Sequence, residues 1–222
     1  MKRLPEPELM DQPDQARAYA DADFSEPNAL FVDLFAAAFP DFAQGLVADL
    51  GCGPADIPVR LVDRYPRARV IAVDGAAEML ELAAEAAARA DRRRQIETLH
   101  WRIGAEPVPQ RLRGAAAGIV SNSLLHHMSD AGALWRAVRD CAAPGAAVLV
   151  MDLLRPDSPE YAQSLVDLHA AGAPEILRRD FHSSLLAAYR PDEVATQLRQ
   201  MELAGLKVEQ VSDRHWACWG RI

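Results

Sequence analysis

Two glycines one residue apart, Gly51 and Gly53, follow a short apolar run over residues 46–50 and stand between two acids, Asp49 and Asp56. A residue without Cβ lets a ligand lie against the main chain and lets a tight turn take positive φ. The helix expected to begin near Pro54 and Ala55 offers unpaired N–H groups at its start. A second apolar run, residues 68–74, ends in Asp74, which lies 23 positions after Gly51. An acid at the tip of a second strand can accept hydrogen bonds from both hydroxyls of a ribose. The combination points to a nucleoside-containing cofactor; the plainer reading is an ordinary glycine turn and a solvated strand end. A dinucleotide site would want a third small residue three positions after the second glycine, and Asp56 stands there. Asp49 and Asp56 would repel a pyrophosphate at the helix start and suit a ligand that carries an ammonium.

A second group of residues could serve the chemistry itself. His126 and His127 follow the fourth apolar run, and His182 sits in the polar stretch RRDFHSSLLAAY behind Arg178 and Arg179. Each histidine is a candidate general base or acceptor contact, and each can equally cap a helix or pack. Tyr19 and Asp23 lie in an N-terminal segment with little other core to join. His215, Trp216, Cys218 and Trp219 run along one strand, where sheet packing is the expectation. Too few ligands converge on His215 and Cys218 for a metal, so no metal site is expected.

These residues need a scaffold, and the rhythm of the chain supplies one. Apolar runs at 46–50, 68–74, 96–101, 116–123 and 146–154 alternate with helical segments at 55–65, 76–90 and 131–142. Strand alternating with helix implies a parallel sheet covered on both faces, and the nearly unbroken apolar strands agree. Two short helices are expected before residue 45, with Pro27 or Asn28 opening the second. Residues 1–13 carry three prolines and read as an irregular arm. A polar insert, partly helical over 159–172, occupies 155–190. A helix over 191–205 and two strands, turning at Asp213 and Arg214, close the chain.

The 222 residues suffice for one domain, and the formal net charge of −8 argues against a nucleic-acid partner held by a basic surface. Three scattered cysteines suit a reducing, cytoplasmic setting, and no apolar run is long enough for a membrane span. The first twelve residues lack the apolar core of a signal peptide.

The stretch VADLGCGPADIPVRL together with VIAVDGAAEML resembles the first motif and following acidic strand of class I S-adenosylmethionine-dependent methyltransferases. IVSNSLLHHMSD and PGAAVLVMDLLRP resemble that family's fourth and fifth strands, so the likeness covers roughly residues 45–155. The resemblance implies an α/β fold: a Rossmann-like, doubly wound, mostly parallel seven-stranded sheet with an antiparallel last strand. It implies a single domain, in which residues 1–44 form a helical lid and 45–155 the cofactor-binding core. Residues 156–190 would then cap the substrate, and 191–222 would supply the last helix and strand pair. The cofactor implied is S-adenosyl-L-methionine. Asp49 would face its ammonium, Gly51, Cys52 (through backbone) and Gly53 would carry the methionyl-ribose part, and Asp74 would hold the ribose. Gly75, Ala76 and Met79 would lie beside the adenine. Ile103, Gly104 and Ala105 stand where the family often has an acid for the adenine amine, with Glu106 just beyond. Asn122 and Ser123 would lie beside the sulfonium.

The activity implied is methyl transfer to a small-molecule acceptor, with His126, His127, His182 and Tyr19 as catalytic candidates. An Asn-Pro-Pro-Tyr type signature, which would suggest methylation of nucleic-acid bases or protein glutamine, is absent after the fourth strand. A non-catalytic cofactor-binding regulator or scaffold and a dinucleotide oxidoreductase are the alternatives. The acceptor and the assembly, a homodimer included, stay open.

Overall fold

The computed structural model describes residues 1–6 and 13–222; the remainder of the N-terminal arm, 7–12, lies outside the described residues. Seven strands form one sheet in the order β3-β2-β1-β4-β5-β7-β6. They are β1 (Gln44–Leu50), β2 (Arg67–Asp74), β3 (Ile96–His100), β4 (Ala116–Asn122), β5 (Ala142–Leu153), β6 (Lys207–Gln210) and β7 (His215–Arg221). The first five pair in parallel, and β7 runs antiparallel to both its neighbours. The order reverses between β1 and β4, where an open α/β sheet leaves a crevice beyond its strand ends.

The alternation of side chains along the strands assigns the two faces. Ala48, Leu50, Ile71, Val73, Ile119, Val148 and Val150 pack with α5 (Ala131–Cys141) and α8 (Pro191–Gln200), through Leu134, Trp135, Val138, Val194 and Leu198. The intervening residues Val47, Val70, Ala72, Val120, Leu149 and Met151 face α2 (Ser25–Ala38), α3 (Asp56–Arg64) and α4 (Ala77–Arg89). On that side Phe35 is wholly buried in an aromatic knot, with ring centroids 5.0 Å from Phe39, 5.1 Å from Phe42 and 5.8 Å from Tyr65.

Several boundaries differ from the sequence reading, among them the start of β5 at Ala142. Helix α2 opens at Ser25, with Pro27 inside its first turn. Helix α8 stops at Gln200 because Glu202 takes φ +61 and Leu203 returns its N–H to the Leu198 carbonyl, a left-handed helix ending. The insert is more regular than its polarity suggests. Helices α6 (Pro159–His169) and α7 (Glu175–Ala187) pack on each other and on Leu153 through Leu165, Val166, Leu185 and Ala188. At the chain start, α1 (Pro13–Ala20) lays Ala16, Tyr19 and Ala20 against Met79 and Leu82 of α4.

The Phe35→Ala variant should lose about 3–5 kcal/mol of unfolding free energy in denaturant titrations. Removing the exposed Arg221–Asp41 ion pair by Arg221→Ala should cost less than about 1 kcal/mol in the same assay.

Candidate functional site

The crevice at the β1/β4 switch opens into a cavity of about 1180 Å³. Its floor is the turn after β1. Gly51 sits at φ +77 and Gly53 at φ +51, and both Gly51 and Cys52 donate their N–H to the Val73 carbonyl at 2.8 Å. A Cβ on Gly51 would stand 2.9 Å from the Leu124 side chain, so glycine is needed there for packing as well as for φ. Above Gly53 the nearest atom to an added Cβ is Tyr19 Cε1 at 4.0 Å, which places the phenol ring over the turn. Ala55 at φ 68 and Ser123 at φ 56 are non-glycine residues in the same left-handed region, around the same crevice.

Two carboxylates meet at this floor. Asp74, at the tip of β2, accepts the Gly53 N–H on Oδ2 and the Ala76 N–H on Oδ1, each at 2.9 Å. Burial raises its pKa, and those amides offset part of the rise. Asp49 is 1 % exposed, and its Oδ2 has no hydrogen-bond partner among the described residues. Burial, with the neighbouring Asp74 charge adding to it, pushes its pKa up to about 8. A buried carboxylate that lines a cavity with an oxygen unsatisfied is the counter-group a cation would need.

Every cofactor-side residue named from the sequence lines this cavity: Asp49, Gly51, Cys52, Gly53, Asp74, Gly75, Ala76, Met79, Ile103, Gly104, Ala105, Asn122 and Ser123. The Cys52 thiol is buried and its pKa is pushed well up, so it stays neutral and unreactive. Glu106 turns away, its carboxylate 3.4 Å from the Arg102 N–H. Met79 is also 96 % removed from solvent in the small cluster under α1, so it packs as well as lines.

The catalytic candidates divide. Tyr19, Asp23, His126 and His127 face the cavity. Burial, then the charges of Asp152, Asp74 and Asp56, raise the Tyr19 pKa to about 12, so its hydroxyl is a donor at neutral pH. His126 lies on a single 3-10 turn, Leu125–His127, and is clamped by Asp152 of β5. Its N–H donates to Asp152 Oδ2 at 3.0 Å, and its Nδ1 lies 2.5 Å from Oδ1. Burial opposes charge on this imidazole, and Asp152 and Glu6 outweigh it, so its pKa is held above the ordinary value. His182 corrects the expectation. Leu177, Asp180, Phe181 and Ser184 form the face of α7 turned to the cavity, and His182 is not among the lining residues. One step along a helix rotates a side chain by roughly 100°. Arg178 instead ties α7 to α6 through Asp167 and the Ala170 carbonyl.

Several lining residues escaped the sequence reading. Asn28 donates to Asp56 Oδ2 at 2.6 Å and accepts from Asn122 at 3.3 Å, joining α2, α3 and β4 at the crevice wall. Arg214, 8 % exposed, reaches Glu26 at 2.9 Å and His169 at 3.2 Å. His215 beside it has a pKa lowered to about 4 by burial and by the Arg214 charge, and Ser212 lies 2.9 Å from its Nδ1. An Arg-His pair entering an otherwise apolar strand was the available signal; Asn28 had none.

Residues 47–145 match the family model described as a methyltransferase domain. The chain is 30 % identical over 169 residues to trans-aconitate 2-methyltransferase of Azoarcus sp. (strain BH72), covering 75 % of this chain and 62 % of that protein. It is 46 % identical over 67 residues to the protein of the same name in Rhodopseudomonas palustris (strain HaA2), 29 % of this chain and 25 % of that one. The chain thus spans less than two thirds of the curated relatives it matches. Among solved structures, an S-adenosylmethionine-dependent methyltransferase from Aquifex aeolicus superposes with a TM-score of 0.65 at 16 % identity, over 95 % of this chain and 98 % of that one. A putative one from Methanococcus maripaludis gives 0.69 at 13 % identity, over 97 % and 95 %. At such identities these two likenesses speak for the fold.

The raised Asp49 pKa has a stability consequence. Its folded value, about 8, exceeds the unfolded 3.8, so its contribution is full below the unfolded value and is lost as pH rises toward and through 8. Without ligand, the wild-type melting midpoint should fall more steeply between about pH 5 and about pH 8 than that of Asp49→Asn. Parallel profiles would show that Asp49 is not held protonated.

Proposed function

We propose, on the premise that residues 47–145 belong to the methyltransferase-domain family of the class I S-adenosylmethionine-dependent type, that this chain transfers a methyl group to a small-molecule acceptor. The observation that carries the reading is the buried, unsatisfied Asp49 oxygen on a cavity floored by Gly51 and Gly53 and closed by Asp74. That set fits S-adenosylmethionine, whose amino-acid end carries an ammonium and whose ribose needs an acceptor of hydrogen bonds. Asp49 would face the ammonium and Asp74 the ribose hydroxyls. Gly75, Ala76, Met79, Ile103, Gly104 and Ala105 would flank the adenine, and Asn122 and Ser123 the reacting end. When bound, the cofactor supplies an electrophilic methyl on a sulfonium, so the protein's part is orientation and exclusion of water.

The acceptor would enter between α1, the 3-10 turn and α7, where Tyr19, His126, His127 and Ser184 meet. In-line displacement forms the bond from acceptor to methyl carbon as the carbon–sulfur bond breaks, and it needs the acceptor atom about 3–3.5 Å from that carbon. Tyr19 and the histidines would hold it there, with α1 as the lid. We assign the acceptor to small carboxylic acids. The curated relatives are named for trans-aconitate, and Arg214 and Arg60 supply cationic groups on the wall. The chain would work as one domain, with 45–155 as cofactor core and 156–190 as cap, in a reducing cytoplasm that suits its three free cysteines. Among the described residues no helix is long and apolar enough to cross a membrane.

Calorimetry should show S-adenosylhomocysteine binding at micromolar or tighter affinity and no comparable binding of NAD. Asp74→Ala should weaken the former at least about tenfold, roughly 1.4 kcal/mol. Release of S-adenosylhomocysteine should then appear with trans-aconitate or a similar polycarboxylate and not with phenols or amines. NAD binding with no affinity for the homocysteine nucleoside would overturn the cofactor reading, and turnover of amines alone would overturn the acceptor class.

A further inference from the structure

We propose that Glu6, His126 and His127 form a binding site for one divalent transition-metal ion of the zinc type, at the acceptor end of the cavity. The Glu6 Oε1 atom lies 3.4 Å from His126 Nε2 and 3.2 Å from His127 Nδ1, and the three atoms all fall within 4.8 Å of one another. A four-coordinate ion with bonds of about 2.0–2.2 Å holds its ligand atoms roughly 3.3–3.5 Å apart. Two of the three spacings are therefore close to a tetrahedral edge before any ion is present. Two imidazole nitrogens and one carboxylate oxygen select zinc, iron, cobalt or nickel over calcium and magnesium, which prefer all-oxygen sites.

The surroundings are built to hold this trio. Asp152 grips His126 Nδ1 at 2.5 Å from the far side, which fixes the ring and leaves Nε2 toward Glu6. Such a carboxylate behind a histidine is the usual outer support of a metal ligand. Ser184 of α7 donates to Glu6 Oε1 at 2.9 Å. The chain that carries Glu6 is pinned in turn. Leu4 donates its N–H to the Leu186 carbonyl at 3.0 Å. Arg3 donates to the carbonyls of Ala187 at 2.5 Å and His126 at 2.8 Å, and its guanidinium lies 4.2 Å from the centre of the Tyr189 ring. Long-range contacts thus bring an N-terminal carboxylate to two histidines beyond β4, which is why the sequence alone leads to an expectation of no metal. His126 and His127 also line the cavity, so a fourth position would face it, open to water or to an oxygen of an acceptor. The inference concerns metal binding alone and stands or falls separately from methyl transfer.

The test uses the whole chain, stripped with a chelator and titrated with zinc chloride in the absence of cofactor and acceptor. One equivalent of Zn²⁺ should bind, and Co²⁺ should give the intense visible absorption of a tetrahedral site. Glu6→Gln and His127→Ala, both near the surface of the cluster, should each weaken Zn²⁺ at least tenfold, and Asp152→Asn by about 10–100-fold. Circular dichroism spectra and thermal melting midpoints like those of the metal-free wild type would certify the fold of the first two variants. His182→Ala, off the cavity, should bind Zn²⁺ as the wild type does. Absence of stoichiometric binding, or equal affinity in wild type, Glu6→Gln and His127→Ala, would overturn the proposal and leave a hydrogen-bonded cluster only.

Discussion

A buried carboxylate, Asp49, and a partly buried one, Asp74, at the ends of neighbouring parallel strands set the terms for this molecule. Register pairs Asp49 with Ala72 and brings Asp74 just beyond the end of the same ladder. Asp74 is satisfied by the Gly53 amide of the glycine turn and by the Ala76 amide of its own loop, whereas Asp49 Oδ2 has no hydrogen-bond partner among the described residues. Keeping the acid means the fold carries a desolvated group that is at ease only when neutralised by a proton or by a cation in the cavity. The left-handed residues Ala55 and Ser123 border the same crevice.

The rest of the architecture keeps that crevice in shape. Ser121 ties β4 to the last carbonyl of β1 at 2.7 Å, and Asn28 links Asp56 to Asn122 across the opening. Above it, α1 rests on α4 and swings Tyr19 over the turn, while α6 and α7 carry a small core of their own on the end of β5. Residues 1–6 strap across α7 and the 3-10 turn. One cavity is thus lined both by strand ends and by the helices added around them.

What was legible in the sequence is what local spacing controls. The central strands were readable because they are apolar on both faces, and the glycine turn and Asp74 because their separation is set by one strand–helix–strand unit. The cavity wall from Asn28, His169 and Arg214 was not, since those residues meet only after the chain has closed over the sheet. His182 shows the limit within a single element. Its neighbourhood was rightly placed beside the cavity, but without a clear apolar stripe in RRDFHSS the rotation of α7 could not be fixed, and Phe181 and Ser184 took the inward face. The extent of α7 itself was hidden for the same reason, because Phe181, Leu185 and Ala188 are spread through a polar segment.

The central claim is that the Asp49 carboxyl waits protonated for a cation. Proton linkage reads this directly, by titrating S-adenosylmethionine into the protein at about pH 7 in buffers of different ionisation enthalpy. With an apo pKa of about 8, binding should release close to one proton per chain, and the release should vanish in Asp49→Asn. Binding with no proton release in the wild type, or with equal release in the variant, would contradict the account.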